Sequence, residues 1–283
     1  MLIRNLLTGR RRRQSSLQRA ACFASSRRDG HRWRHSIAVG PQQLETRILP
    51  ATFVVNVPER FDSRPEFIGF DEAVGLANST PGHDTITFDL GLEQPNFRPA
   101  NGSPTVFTES VTIDGTLPGG SRVFIVEEPI IFQGDNSIIR DIRLERVEIH
   151  GNSTTLENVL IDNIINGEVT TETLPGEILP PAGVLKILGS NNTVSNSEVH
   201  VTEITGNDNT VSGSVLSRVV ITGSRNEISQ NTISNESTPS DSRAGVLITG
   251  AATRNRISEN SIFNHDGLGI DLNNWRFLST DSE

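Results

Sequence analysis

The stretches "ITGNDNTVSGSV" (residues 204–215) and "ITGSRNEISQNT" (221–232) write one template, Gly-x-x-Asn-x-(Val/Ile)-Ser, seventeen residues apart. The template recurs in looser form. Gly134, Gly151, Gly189, Gly206, Gly223 and Gly250 each close an aliphatic run, and the next aliphatic positions are Ile139, Leu156, Val194, Val211, Ile228 and Ile257. Those positions are separated by 17, 38, 17, 17 and 29 residues. The two long gaps coincide with "GEVTTETLPGEILPPAG" and "ESTPSDSRAG", Pro-, Glu- and Ser-rich segments that read as surface insertions into a seventeen-residue period. Such a period is too short for a helical-hairpin repeat and lacks a Leu-rich signature. Within a unit the apolar residues alternate, as in Val219, Ile221 and Ile228, with Gly or Asn at the breaks, which is the pattern of strand, turn, strand, turn. Gly enters positive φ without a Cβ penalty; Asn tolerates the left-handed region, and its amide can bond backbone or the equivalent Asn one coil away. The repeat is therefore a building device. It predicts an all-β, single-stranded parallel β-helix of about 17-residue coils, with Asn side chains stacked at the inter-strand spacing of ~4.8 Å.

The rest of the composition agrees. The apolar set is mostly Ile, Val and Leu, there is no Tyr, and Asn, Ser, Thr and Gly are abundant, which favours strands joined by many turns. The formal charge of −9 hides two opposed blocks. Residues 1–50 hold eleven Arg against Asp29 and Glu45, while residues 51–283 hold fourteen basic and thirty-two acidic groups. A body of that charge is a poor partner for nucleic acid, because phosphate neutralisation needs clustered Lys or Arg. Cys22 is the only cysteine, so no intrachain disulfide forms, and no run of eighteen apolar residues provides a membrane span.

Residues 1–50 are expected to be a disordered Arg-rich leader. They carry "RRRR" (Arg10–Arg13) and no apolar stretch long enough for the core of a secretory signal. On composition alone a plain tail, an organellar transit peptide and a basic arm for nucleic acid all remain open. The run "LETRILPA" (Leu44–Ala51) resembles the LEPR-XLL motif that follows an Arg-rich leader in exported planctomycete proteins. Leu44, Glu45, Arg47, Ile48 and Leu49 match it or substitute conservatively, Thr46 stands for its Pro, and Pro50 for its usual small residue. The resemblance implies an export or sorting segment, and hence a cell-surface or extracellular protein. Next, in "PEFIGFDEAVGLANSTPGHDTITFD", Phe67, Phe70, Ala73, Val74 and Ala77 fall at helical spacing and predict a helix from Glu66 to Asn78. This segment resembles the CSLREA pattern found before β-helix repeats of bacterial surface proteins. Glu72, Ala73, Val74, Ala77, Asn78, Gly82, Asp84, Thr85, Ile86 and Phe88 fit it, while Ile68, Gly69 and Asp71 replace its Cys, Ser and Arg. A solenoid leaves an apolar cross-section and unpaired backbone at its first coil, and the helix is the obvious cover.

The last unit, "NRISENSIFNHDGLGIDLNN" (Asn255–Asn274), resembles a coil of right-handed β-helix repeats in large bacterial surface proteins. The expected organisation is a leader over 1–50, N-terminal strands and capping helix over 51–133, β-helix repeats over 134–274 and a tail over 275–283. Parallel β-helices also carry polysaccharide lyases, hydrolases and epimerases, whose sites cluster carboxylates with Arg, Lys or His on one outward sheet. The candidates for such chemistry are Asp162, His265, Asp266 and Asp271; His150 precedes a repeat glycine, and Lys186 is the single lysine. Each has a plainer reading as a turn or coil residue, and the sequon Asn152-Ser153-Thr154 is expected by chance in so Asn/Ser/Thr-rich a chain. No catalytic, metal-binding or cofactor-binding residue is assigned. The expected function is a non-catalytic structural or adhesive module, with polysaccharide or cell-envelope components as partners; the alternative is a polysaccharide-active β-helix enzyme.

Overall fold

The computed structural model of the chain describes residues 49–58, 67–91, 96–97, 103–117, 119–126, 129–162, 164–165, 168–169, 183–235 and 244–272. All belong to the second of two units, which divide between Thr46 and Arg47. Of the expected leader only Leu49 and Pro50 are among the described residues, and the expected tail lies outside them.

A full coil sends a short stretch of parallel strand to each of three faces. The first face is a nine-stranded sheet built from Thr52–Val55, Asp84–Phe88, Val111–Asp114, Ile138–Arg140, Thr155–Glu157, Thr193–Ser195, Thr210–Ser212, Glu227–Ser229 and Arg256–Ser258. The second and third faces merge into one fourteen-stranded sheet where Glu198–Ile204 and Val215–Ile221 run through both. The inward alternation breaks at His200–Val201, which marks the corner between these two faces. The protein is thus a parallel β-helix, as the repeat predicts.

Register explains the core. On the first face Ile86, Ile113, Ile139, Leu156, Val194, Val211 and Ile228 lie directly over one another, all essentially inaccessible. On the third face the matching column is Phe107, Phe132, Ile149, Ile187, Ile204 and Ile221. Like side chains stack on like because one repeat position recurs at each rung, so the apolar interior is continuous along the stack.

The template Asn does what the repeat implies. Asn209 is fully buried; its Oδ1 accepts the Asn192 amide N–H at 2.8 Å, and its Nδ2 donates to Gly189 O and Asn226 Oδ1, both at 3.1 Å. Asn226 repeats the pattern onto Asn255 and Gly206. A second ladder runs along the corner between the first and second faces through Ser197, Ser214, Asn231 and Asn260. An outer one links Asp135, Asn152, Ser190, Asn207, Ser224 and Thr253.

The template Gly does something other than expected. Positive φ falls two residues later, at Asn136, Ser153, Asn191, Asp208 and Arg225, and not at Gly134, Gly151, Gly189, Gly206 or Gly223. These glycines are needed for clearance. A Cβ at Gly151, Gly189, Gly206 or Gly223 would overlap the carbonyl of the glycine one coil below. Gly250 departs from the column: it has φ +71° and open space around it, and the next two residues carry the chain to Thr253, which rejoins the outer ladder.

The stack also reaches further back than the regular spacing does. Thr52–Val55 pairs in parallel with Thr85–Phe88, and that strand with Val111–Ile113, so the segment expected as a separate entrance supplies the first coils. The helix, α1 (Phe70–Ser79), starts four residues later than expected, after Gly69 in extended conformation. It buries Phe70, Ala73, Val74 and Ala77. Phe67 precedes it and is half-buried. Phe70 stacks against Phe88 at 6.2 Å and meets Phe107 edge-on at 6.5 Å, and Phe107 stacks on Phe132 at 5.1 Å. The helix therefore supplies the next member of the third-face column. Asn78 closes the open edge of strand Thr105–Phe107: its Nδ2 donates to Val106 O at 2.7 Å and its Oδ1 accepts the Thr108 N–H at 2.9 Å.

From Ile138 onward, every insertion longer than two residues leaves at the corner between the second and third faces: after Asp162, after Asn235 and after Phe263. At the last coil Phe263, Leu268, Ile270 and Leu272 are exposed, Leu272 to 61%.

Candidate functional site

The outward positions of the three faces hold the groups available for recognition or chemistry. On the first face they form two columns. One runs Thr85, Thr112, Ile138, Thr155, Thr193, Thr210, Glu227 and Arg256; the other runs Asp114, Arg140, Glu157, Ser195, Ser212, Ser229 and Ser258. Four of the five charged members pair along the stack, Glu157 being the exception. Arg140 holds Asp114 through Nε and Nη2 at 3.0 and 2.8 Å, and Arg256 lies 3.3 Å from Glu227. Partial burial of Asp114 opposes its ionisation, but hydrogen bonds from Thr116 and Arg140 outweigh it and hold the carboxyl below its ordinary value of 3.8.

On the second face Arg143 grips Asp162 with two bonds, at 2.8 and 3.0 Å, and its guanidinium lies 4.2 Å from the centre of the Phe124 ring. This geometry accounts for Asp162 as the fixed partner of a stacked arginine. The next corner position one coil on, His200, is half-buried, and burial pushes its imidazole below the ordinary 6.5.

On the third face the outward column reads Ile131, Glu148, Lys186, Glu203, Val220, Leu247 and Asp271. Glu148 accepts from His150 at 3.0 Å and lies 3.8 Å from Lys186, so these three form one cluster with Glu203 on the far side of the lysine in register. Aligning the chain on its repeat glycines finds this column from sequence: Glu148, Lys186 and Glu203 each stand three residues before one.

The remaining candidates do not converge on this cluster. His265 turns its Nε2 to Ile233 O at 3.3 Å, Asp266 is exposed, and Asp271 lies at the last rung beside Leu247. Asn152 of the sequon belongs to the outer ladder, with Asp135 below and Ser190 above. At the outer corner Arg225 binds Asp208 twice at 2.7 Å, which lowers the Asp208 carboxyl and raises the guanidinium. A hollow of about 270 Å³ at the last coil is lined by Ile248, Gly250, Ala252, Thr253, Arg254, Asn255 and Leu272. Among the described residues no group of three or more His, Cys, Asp or Glu side chains is placed to hold a metal ion, and no helix there is long and apolar enough to cross a membrane.

Comparison with family models, with curated proteins and with solved structures returns no match to the chain.

Proposed function

We propose that the protein is an exported, non-catalytic β-helix module of the cell surface or extracellular matrix, with a structural or adhesive role and carbohydrate as its ligand class. The observation that carries this reading is how the outward charges are used. Arg140 with Asp114, Arg143 with Asp162, Lys186 with Glu148, Arg225 with Asp208 and Arg256 with Glu227 each tie one rung to another. A hydrolase or lyase needs carboxyls or bases that converge and are free to move protons, whereas these five pairs serve the stack and the outward carboxyls outside them, such as Glu157 and Glu203, stand on different faces. Between them the first face offers hydroxyl columns, which suit the hydroxyls of a neutral glycan better than a charged polymer. The export part of the proposal rests on the Arg-rich leader and its LEPR-XLL-like run.

The test is a screen of neutral and acidic polysaccharides, with and without Ca²⁺, that follows both binding and product formation. Retention on a neutral glycan without product is the expected result. Unsaturated or shortened oligosaccharides would replace this reading with the enzymatic one.

A further inference from the structure

Asp84 is fully buried on the inward side of its strand. Its Oδ1 accepts the backbone N–H of Ala51 at 2.7 Å, while its Oδ2 is enclosed without a hydrogen-bond partner. A buried carboxylate carries a large desolvation cost, and a single amide N–H offsets little of it. The neighbouring His83 brings no help, since both its ring nitrogens are engaged, by Ser110 and Thr112 at 2.6 Å each. Ala51 is fixed from its other side as well, its carbonyl accepting the Thr85 N–H at 2.8 Å. Directly upstream the chain is open to solvent: Pro50 is exposed and Leu49 is 73% exposed.

The group that would complete this site stands at the Ala51 nitrogen, carries positive charge and offers more than one N–H. An α-ammonium has all three properties. We propose that the chain is processed between Pro50 and Ala51, and that the new α-ammonium of Ala51 pairs with the Asp84 carboxylate. A post-prolyl peptidase would hydrolyse the bond with one water. Pro50 leaves with the new carboxylate; Ala51 keeps the nitrogen, which is protonated near neutral pH and presents three N–H donors. One of these keeps the bond to Oδ1, and a second serves Oδ2. The cut also removes the eleven arginines of residues 1–50 from an otherwise acidic chain. Asp84 thus acts as the receptor for a processed end, and the fold becomes more stable once its leader is gone.

The test uses the full chain with Arg47–Pro50 replaced by the recognition sequence of a site-specific endopeptidase that leaves Ala51 first. Melting is followed before and after the cut. The expected result is a rise of roughly 2–8 °C on cutting, absent in Asp84→Asn. A second measurement does not depend on that variant folding. The cut wild-type protein is treated with an amine-acylating reagent, with the single lysine, Lys186, as internal standard. An unprotected α-amine reacts faster than a lysine because its pKa is lower. Here the Ala51 amine reacts at least about tenfold more slowly than Lys186. A melting temperature unchanged or lowered by the cut, or an Ala51 amine acylated as fast as Lys186, overturns the proposal.

Discussion

Gly206 and Gly250 fill like places in the written template and unlike places in space. A side chain at Gly206 would intrude on the Gly189 carbonyl, which is fixed by its own coil, whereas Gly250 has room but sits at φ +71°. Gly206→Ala is therefore expected to cost more than about 3 kcal/mol, because two coils must separate to admit a methyl group. Gly250→Ala should cost about 1 kcal/mol, the ordinary cost of a left-handed alanine. Urea midpoints of the two variants check this, and equal losses would mean that clearance between coils does not set the requirement. The sequence displayed that a glycine is needed every seventeen residues but not why. Positive φ and close approach leave the same letter, and only the distance between backbones separates them. The Asn was more legible, since one buried amide serving the coils on either side requires the same residue type at every rung.

At the level of elements, helix α1 and the first strands show where pattern reading stops. The apolar spacing located the helix and its buried face. Its start was placed too early because Phe67 fits the period but lies before Gly69, which is extended. The coils ahead of Gly134 leave no periodic mark in the sequence, because the connections between their strands vary in length and lack the Gly-x-x-Asn template. They are held instead by Phe70, Phe88, Phe107 and Phe132. Helix α1 closes the stack in two separable ways, through the ring of Phe70 and the amide of Asn78. Phe70→Ala should lose about 3–5 kcal/mol in a chemical melt. Asn78→Ala should leave most stability in place but free Val106 O and Thr108 N at the edge, where a second chain can pair with them. Light scattering of Asn78→Ala is expected to show concentration-dependent oligomers with β-content retained. A monomer at all concentrations would assign the cap to Phe70 alone.

Across the whole molecule, acid acts in one direction. His200 is lowered by burial, so between its ordinary 6.5 and its folded value the unfolded chain binds a proton that the folded chain does not. That contribution is complete above 6.5 and is lost as pH falls. Asp114 is also lowered, and its contribution is complete above 3.8 and disappears below that. Thermal stability should therefore decline from pH 7.5 to 5 and again near pH 3, with the first decline shallower in His200→Asn and the second in Asp114→Asn. The corner that holds His200 is the one where the long insertions leave the stack, and neither the Asn ladder nor the Ser–Asn ladder runs along it. At the corner with the Asn ladder the stack takes up only the two residues added after Gly250, with Thr253 and Asn255 still on their ladders. At the His200 corner the chain can depart and return with the ladders intact. The junctions His200–Val201 and Ser217–Arg218, which carry no insertion, are in that sense vacant sockets. A foreign peptide spliced into both would be displayed as parallel copies one strand spacing apart, a fixed spacing for engaging a repetitive target.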